Sequence, residues 1–192
     1  MIKYIFMTEE KSMEETLKNI LPKISDYFNE SLNYKIIPHE GKQDLEKSIP
    51  KKLRAWKDNK DISYKFIILR DKDSGDYNKI KENLRKLCME SGRGDVLIRI
   101  AIHELESWFL GDLKAIDKAY NIKKSKEQNK SKYKNPDKLA NPSQELARIL
   151  KNKSKISWAK NISKFMDITN NKSHSFNVFI KGVRSLLKTA SE

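Results

Sequence analysis

The chain has 192 residues, 38% of them hydrophobic and 34% charged, with a formal net charge of +14 at pH 7. That length can bury a core as one domain with an appendage, and no apolar run nears the roughly 20 residues of a membrane span. The opening MIKYIFMTEE turns acidic too early for a secretory leader, and the lone Cys88 excludes an internal disulfide, so a soluble, cytoplasmic protein is expected.

Short apolar runs alternate with amphipathic stretches through the first hundred residues. Residues 3–7 (KYIFM) read as a buried strand. Ser12 can cap a following helix, with Leu17, Ile20, Leu21, Ile24 and Phe28 at helical spacing. Residues 34–38 (YKIIP) give a second strand. Asp44 opens a second helix carrying Leu45, Ile49, Leu53 and Trp56, which Pro50 is placed to shorten or kink. Residues 64–69 form a third strand and 77–90 a third helix, with Asp76 as its N-cap. Residues 96–102 (VLIRIAI) form a fourth strand, and a helix starts near Glu104. This order predicts an α/β fold with a mainly parallel four-stranded sheet flanked by helices over residues 1–113.

The rest, 114–192, reads as a basic loop plus C-terminal helices packing on the same domain. Residues 1–113 hold 21 Lys/Arg against 20 Asp/Glu, whereas 114–164 hold 15 against 4. Within the second stretch, NIKKSKEQNKSKYKNPDKL lacks apolar periodicity and is expected to be a loop or a poorly ordered insertion. Helices are expected from Pro142 through Leu150 and over residues 175–189. So localised a positive field suits a polyanion, through Lys123, Lys124, Lys126, Lys130, Lys132 and Lys134, although a lysine-rich solvated surface would look the same.

Acids gather where strands end. Glu9 and Glu10 follow the first strand, Asp71 and Asp73 the third, and Glu104 and Glu106 the fourth, with Asp112 soon after. A parallel sheet releases all of them at one edge, where ligands bind, and oxygen-rich clusters suit magnesium or manganese. In an extended segment Asp71 and Asp73 would face the same way. On a helix Glu104 and Glu106 would lie about 200° apart, so one of them would reach the site. Two metal ions about 4 Å apart there would suit phosphoryl transfer. Turn chemistry and helix dipoles offer a plainer account of each cluster taken singly.

The order "strand, Glu; strand; strand, Asp-x-Asp" resembles the Toprim domain of topoisomerases, DnaG-type primases and OLD-family nucleases. The stretches MTEEKSMEETLKNILPKI, IPHEGKQDLEKSIPKKLRAW, ILRDKDSGD, RIAIHELESWFLGD, NPSQELARIL and NNKSHSF look like a Toprim-related prokaryotic family of unknown function. The resemblance implies that Glu9, Asp71 and Asp73 hold magnesium. Glu10 stands where Toprim domains usually carry glycine, which leaves Glu9, Glu10 or both as ligands. It also implies a separate ATPase partner in a phage-defence setting.

Lys42, Arg70 and Arg99 are further candidates for contact with nucleic acid, the two arginines pairing with site carboxylates or with phosphate. His39 is placed to orient a water. The favoured expectation is a metal-dependent nuclease with Glu9, Asp71, Asp73 and Glu104 as its catalytic set. A non-catalytic module that binds nucleic acid or docks on an ATPase is the alternative, and an effector acting on tRNA or a nucleotide is a third.

Overall fold

Apolar runs and caps set the elements, which the computed structural model describes for residues 1–188; the expected helix end at Thr189 lies outside the described residues. Strands β1 (Ile2–Thr8), β2 (Tyr34–Pro38), β3 (Ser63–Asp71) and β4 (Leu97–Ala101) alternate with helices α1 (Lys11–Phe28), α2 (Lys42–Ala55) and α3 (Tyr77–Met89). All four strands are parallel, in the order β2-β1-β3-β4. After β4 the chain is helical: α4 (Glu106–Leu110), α5 (Leu113–Tyr120), α6 (Ser131–Lys134), α7 (Pro142–Leu150), α8 (Lys155–Ile162) and α9 (His174–Lys188). The side chain of Asp76 caps α3 by accepting from Lys79 N at 2.8 Å. Helix α2 runs on through Pro50, with Ile49 and Leu53 both buried.

Side chains alternate across a strand, so each central strand feeds two cores. Tyr4, Phe6, Ile67 and Leu69 join a core with α1, α4, α5, α8 and α9. Ile5, Met7, Phe66 and Ile68 join a second core with α2 and α3. This parity decides the fate of the two residues that end β3. Arg70 continues the Phe66 and Ile68 side and meets Glu46 of α2, whereas Asp71 continues the Ile67 and Leu69 side toward α4 and α8.

The stretch from Asn121 to Leu139, expected as a loop or a poorly ordered insertion, is a connection of short helical turns fixed by side chains, so the second alternative is corrected. Asp117 accepts from the backbone of Lys124 and Ser125, and Gln128 bridges Leu113 N, Leu110 O and Tyr133 O. Asp137 accepts from Ser173 Oγ and Ser175 N at 2.7 Å each, which ties the segment to the start of α9. Tyr133 is buried and donates its hydroxyl to Glu145 of α7. Helix α8, absent from the sequence reading, buries Trp158, Ala159 and Ile162 behind a Ser154 cap. Among the described residues, no helix is long and apolar enough to cross a membrane.

Glu145 also accepts from Lys132 Nζ and Arg148 Nη2 at 2.7 Å each. Burial pushes this carboxyl up, but the bonds from Arg148, Lys132 and Tyr133 outweigh it and hold the group at about 2, below its ordinary 4.5. A depressed acid contributes stability above its unfolded value that is lost as pH falls through its folded value. Glu145→Gln is therefore expected to destabilise the chain by about 2 kcal/mol in urea unfolding at neutral pH. That penalty should shrink as pH drops from 4.5 toward 2; a pH-independent penalty would show that its charge does not hold the segment.

Candidate metal centre

The strand order reverses direction between β1 and β3, and the crevice beyond their carboxyl ends is where open parallel sheets bind ligands. Glu9 follows β1 there, and its Oε2 accepts from Asp71 N at 3.0 Å while lying 3.7 Å from Arg70 Nε. Arg70 is 4% exposed and donates to Glu46 Oε1 at 2.6 Å and to its neighbour's carbonyl, Asp71 O, at 3.1 Å. This buried guanidinium is thus neutralised by two carboxylates, as its position requires. Thr8 O accepts from both His39 N and His39 Nδ1, at 3.0 and 2.8 Å. That fixes the proton on Nδ1 and leaves Nε2 as a buried acceptor without a hydrogen-bond partner.

On the other face of β3, acids accumulate. Asp71 is 4% exposed and Glu106 fully buried. Asp71 Oδ1 and both Glu106 carboxyl oxygens lack a hydrogen-bond partner. Burial raises Asp71 well above the ordinary carboxylate range, with Glu106, Glu10 and Glu9 adding to it. Burial likewise pushes Glu106 up to about 7, against the pull of Lys155, and raises Glu9. Lys155 Nζ lies 3.8 Å from Glu106 Oε1. Burial alone would lower this amine, but Glu106, Glu10 and Asp71 reverse the effect and raise it. One ammonium therefore faces several carboxylates, and positive charge is in deficit.

The other sequence candidates are engaged by other partners, although Glu10 stays close enough to raise Asp71. The chain leaves the extended conformation at Asp73, whose φ of 52° breaks the expected alternation with Asp71. Asp73 pairs instead with Lys42 at 3.6 Å on the exposed rim. Its amide donates to His103 O at 2.6 Å, and His103 also has a positive φ of 60°. Two non-glycine residues held left-handed side by side store on the order of 1–3 kcal/mol each, a pattern that gathers at functional sites.

Glu104 is engaged by Ser143 N and Ser143 Oγ at 2.8 and 2.9 Å, so it anchors the start of α7, whereas Glu106 is buried beside Lys155. Asp112 caps α5 through Ala115 N and accepts from Asp167 N. Glu10 sits at the start of α1 and accepts from Ser12 Oγ. The expected pairing of Arg99 with acids or phosphate gives way to packing on α9, where it donates to Val178 O at 3.1 Å and lies against Gly182. Strand parity explains this, since Arg99 alternates with Ile98 and Ile100 of the opposite core. Among the candidate lysines, Lys124 pairs with Glu127 and Lys132 with Glu145, while Lys123, Lys126, Lys130 and Lys134 are exposed. Lys155 escaped the sequence reading because nothing local marks it beyond the cap that precedes it.

The donor chemistry fits a hard divalent cation: anionic oxygens, buried and short of partners, at a sheet edge. Among the described residues, no three His, Cys, Asp or Glu side chains already converge as a cage. Magnesium does not need one, since it binds through one or two carboxylates and keeps waters and substrate oxygens as its other ligands.

Glu106 has a pH signature. Between its ordinary 4.5 and about 7, the folded state keeps a proton on this group that the unfolded chain has released. Stability contributed by Glu106 therefore falls as pH rises through that window. In chelator, Glu106→Gln is expected to gain on the order of 2–3 kcal/mol over wild type between about pH 4.5 and pH 8, read by urea unfolding. A constant difference would mean that the carboxylate is already compensated.

No curated protein and no solved structure matches the chain significantly. A family model described as a domain of unknown function does match, over residues 8–184, which take in every element from the end of β1 into α9. The chain belongs to that family, DUF4276.

Proposed function

We propose that the chain is a magnesium- or manganese-dependent phosphoryl-transfer enzyme, a nuclease acting on DNA or RNA. The observation that carries this reading is the set of buried carboxyl oxygens without partners, on Asp71 and Glu106, at the point where the sheet order reverses. The resemblance of the Glu9 and Asp71-Lys72-Asp73 pattern to Toprim domains supports it by analogy. Asp71 and Glu106 would hold the cation, with Glu9 and Glu10 beside them. Bound there, a divalent cation would polarise a phosphoryl oxygen and neutralise charge developing in the transition state.

The chain's own residues have separable tasks. Arg70 and the Asp71 amide fix the Glu9 carboxylate, so that it presents one orientation. Lys155 supplies positive charge next to Glu106 and is close enough to the acids to meet a phosphate oxygen there. Lys42 and Asp73 form an exposed ion pair on the α2 side of the same edge. A second reading, a non-catalytic binding module, draws on the engagement of Glu9 Oε2 by the Asp71 amide and of Glu104 by Ser143. It predicts salt-sensitive binding without turnover.

Asp71→Asn separates the two readings. It keeps side-chain volume and removes a buried charge, so the fold should hold or gain stability. Wild type is expected to gain thermal stability from magnesium or manganese at about pH 8 and to cleave a nucleic acid with that ion. The variant should lose the metal-induced shift and about a hundredfold or more of the cleavage rate. Full cleavage by a folded Asp71→Asn would eliminate the proposed mechanism.

A further inference from the structure

A groove between α7 and α8, with a volume of about 620 Å³, lies beside the carboxylates and lacks an assigned role. Pockets of roughly 300–1,000 Å³ suit ligands of nucleotide size. Its walls carry Arg148, Lys151, Lys153 and Lys155, and among the described residues no carboxylate lines it. Ala147 supplies apolar surface, with the buried Trp158 behind it, and Asn152 holds the indole by accepting from Trp158 Nε1. Lys151 ends α7 in the left-handed conformation, φ 53°, which turns the chain so that Lys151, Asn152 and Lys153 all line the mouth. Both Lys151 and Lys153 are exposed.

Two wall residues also touch acids that follow β4. Ser143 is hydrogen-bonded to Glu104, and Lys155 pairs with Glu106. The groove is therefore linked to these acids through Ser143 and Lys155. A basic groove whose wall lysine pairs with a buried acid suits a chain of phosphates whose reacting group must reach a cation.

The geometry points to this groove as the track for a single strand of nucleic acid, with its backbone on Lys151 and Lys153 and with Lys155 at the junction with the carboxylates. This assignment rests on the phosphoryl-transfer reading for the direction of the strand but not for its binding. A duplex keeps its bases stacked inside and would lie across the mouth, whereas a single strand offers both phosphates to the cations and sugar or base surface to the apolar wall. The exposed lysines of residues 123–134, by contrast, border no such cavity on the acids.

The test is fluorescence anisotropy of a short labelled single strand, offered as DNA and as RNA, in chelator so that turnover plays no part. Lys151→Glu with Lys153→Glu is compared with Lys126→Glu plus Lys130→Glu, an equal charge change at exposed positions. The groove pair is expected to weaken binding about tenfold or more and to reduce the salt slope by about 1.4, the value for two lost single-strand phosphate contacts. The other pair should retain most of the affinity, and a matched duplex should bind more weakly than the single strand. Equal or greater loss in the 126/130 pair, no loss in the groove pair, or tighter duplex binding would overturn the assignment. Groove-dependent binding without cleavage in magnesium would support the track and defeat the nuclease reading. Cleavage that ignores the groove pair would do the reverse.

Discussion

Asp71 ends a central strand with 4% of its surface exposed, and Glu106 enters the same region from α4 with none reaching water. Between them, three carboxyl oxygens find no hydrogen-bond donor. Placing two acids in so dry a region is costly unless they are protonated or a cation accompanies them. The amine of Lys155, 3.8 Å from Glu106, offsets part of that charge. The elevation of both carboxyls shows that the compensation is incomplete. Unmatched negative charge at the carboxyl edge of the sheet is the constraint on which the proposed cation site rests.

The sheet makes this arrangement possible through parity. Successive residues of β3 alternate between two cores, so Arg70 and Asp71 are sent to opposite faces by one step along the chain. Arg70 goes to Glu46 and Glu9, where its buried charge is matched. Asp71 goes to the side of α4 and α8, where charge is unmatched. Beyond Asp71 the backbone departs from the strand, and the left-handed Asp73 and His103 lock the β3 and β4 loops together through Asp73 N to His103 O. Helices α7 and α8 then close on the acids through Ser143 and Lys155, which brings the basic C-terminal part to the edge of an otherwise nearly neutral α/β unit.

The strands, the parallel order and the Asp76 cap were legible because each rests on local signals: apolar runs, helical spacing and a side chain suited to an N-terminus. The gathering of acids at one edge followed from the parallel order. Which acids remain together did not, because it depends on loop conformation. Spacing alone could not show that Asp73 adopts a positive φ, or that Glu104 is captured by a serine 39 residues away. The stretch around Tyr133 misled for a related reason. Its order comes from Gln128, Asp117 and Asp137 reaching backbone groups and from one buried tyrosine, none of which produces hydrophobic periodicity. Lys155 is legible only in three dimensions, where α8 sets it against α4.

The most direct measurement is anomalous diffraction from crystals soaked in manganese at about pH 8, where Glu106 is expected to be ionised. Manganese is bound by the same hard oxygen donors as magnesium and is visible in its anomalous signal. A peak is expected within coordinating distance of Asp71 Oδ1 and a Glu106 oxygen, with Lys155 Nζ displaced from Glu106. A crevice without a peak, with Lys155 still seated against Glu106, would contradict that expectation and leave these carboxylates as a structural feature of the fold.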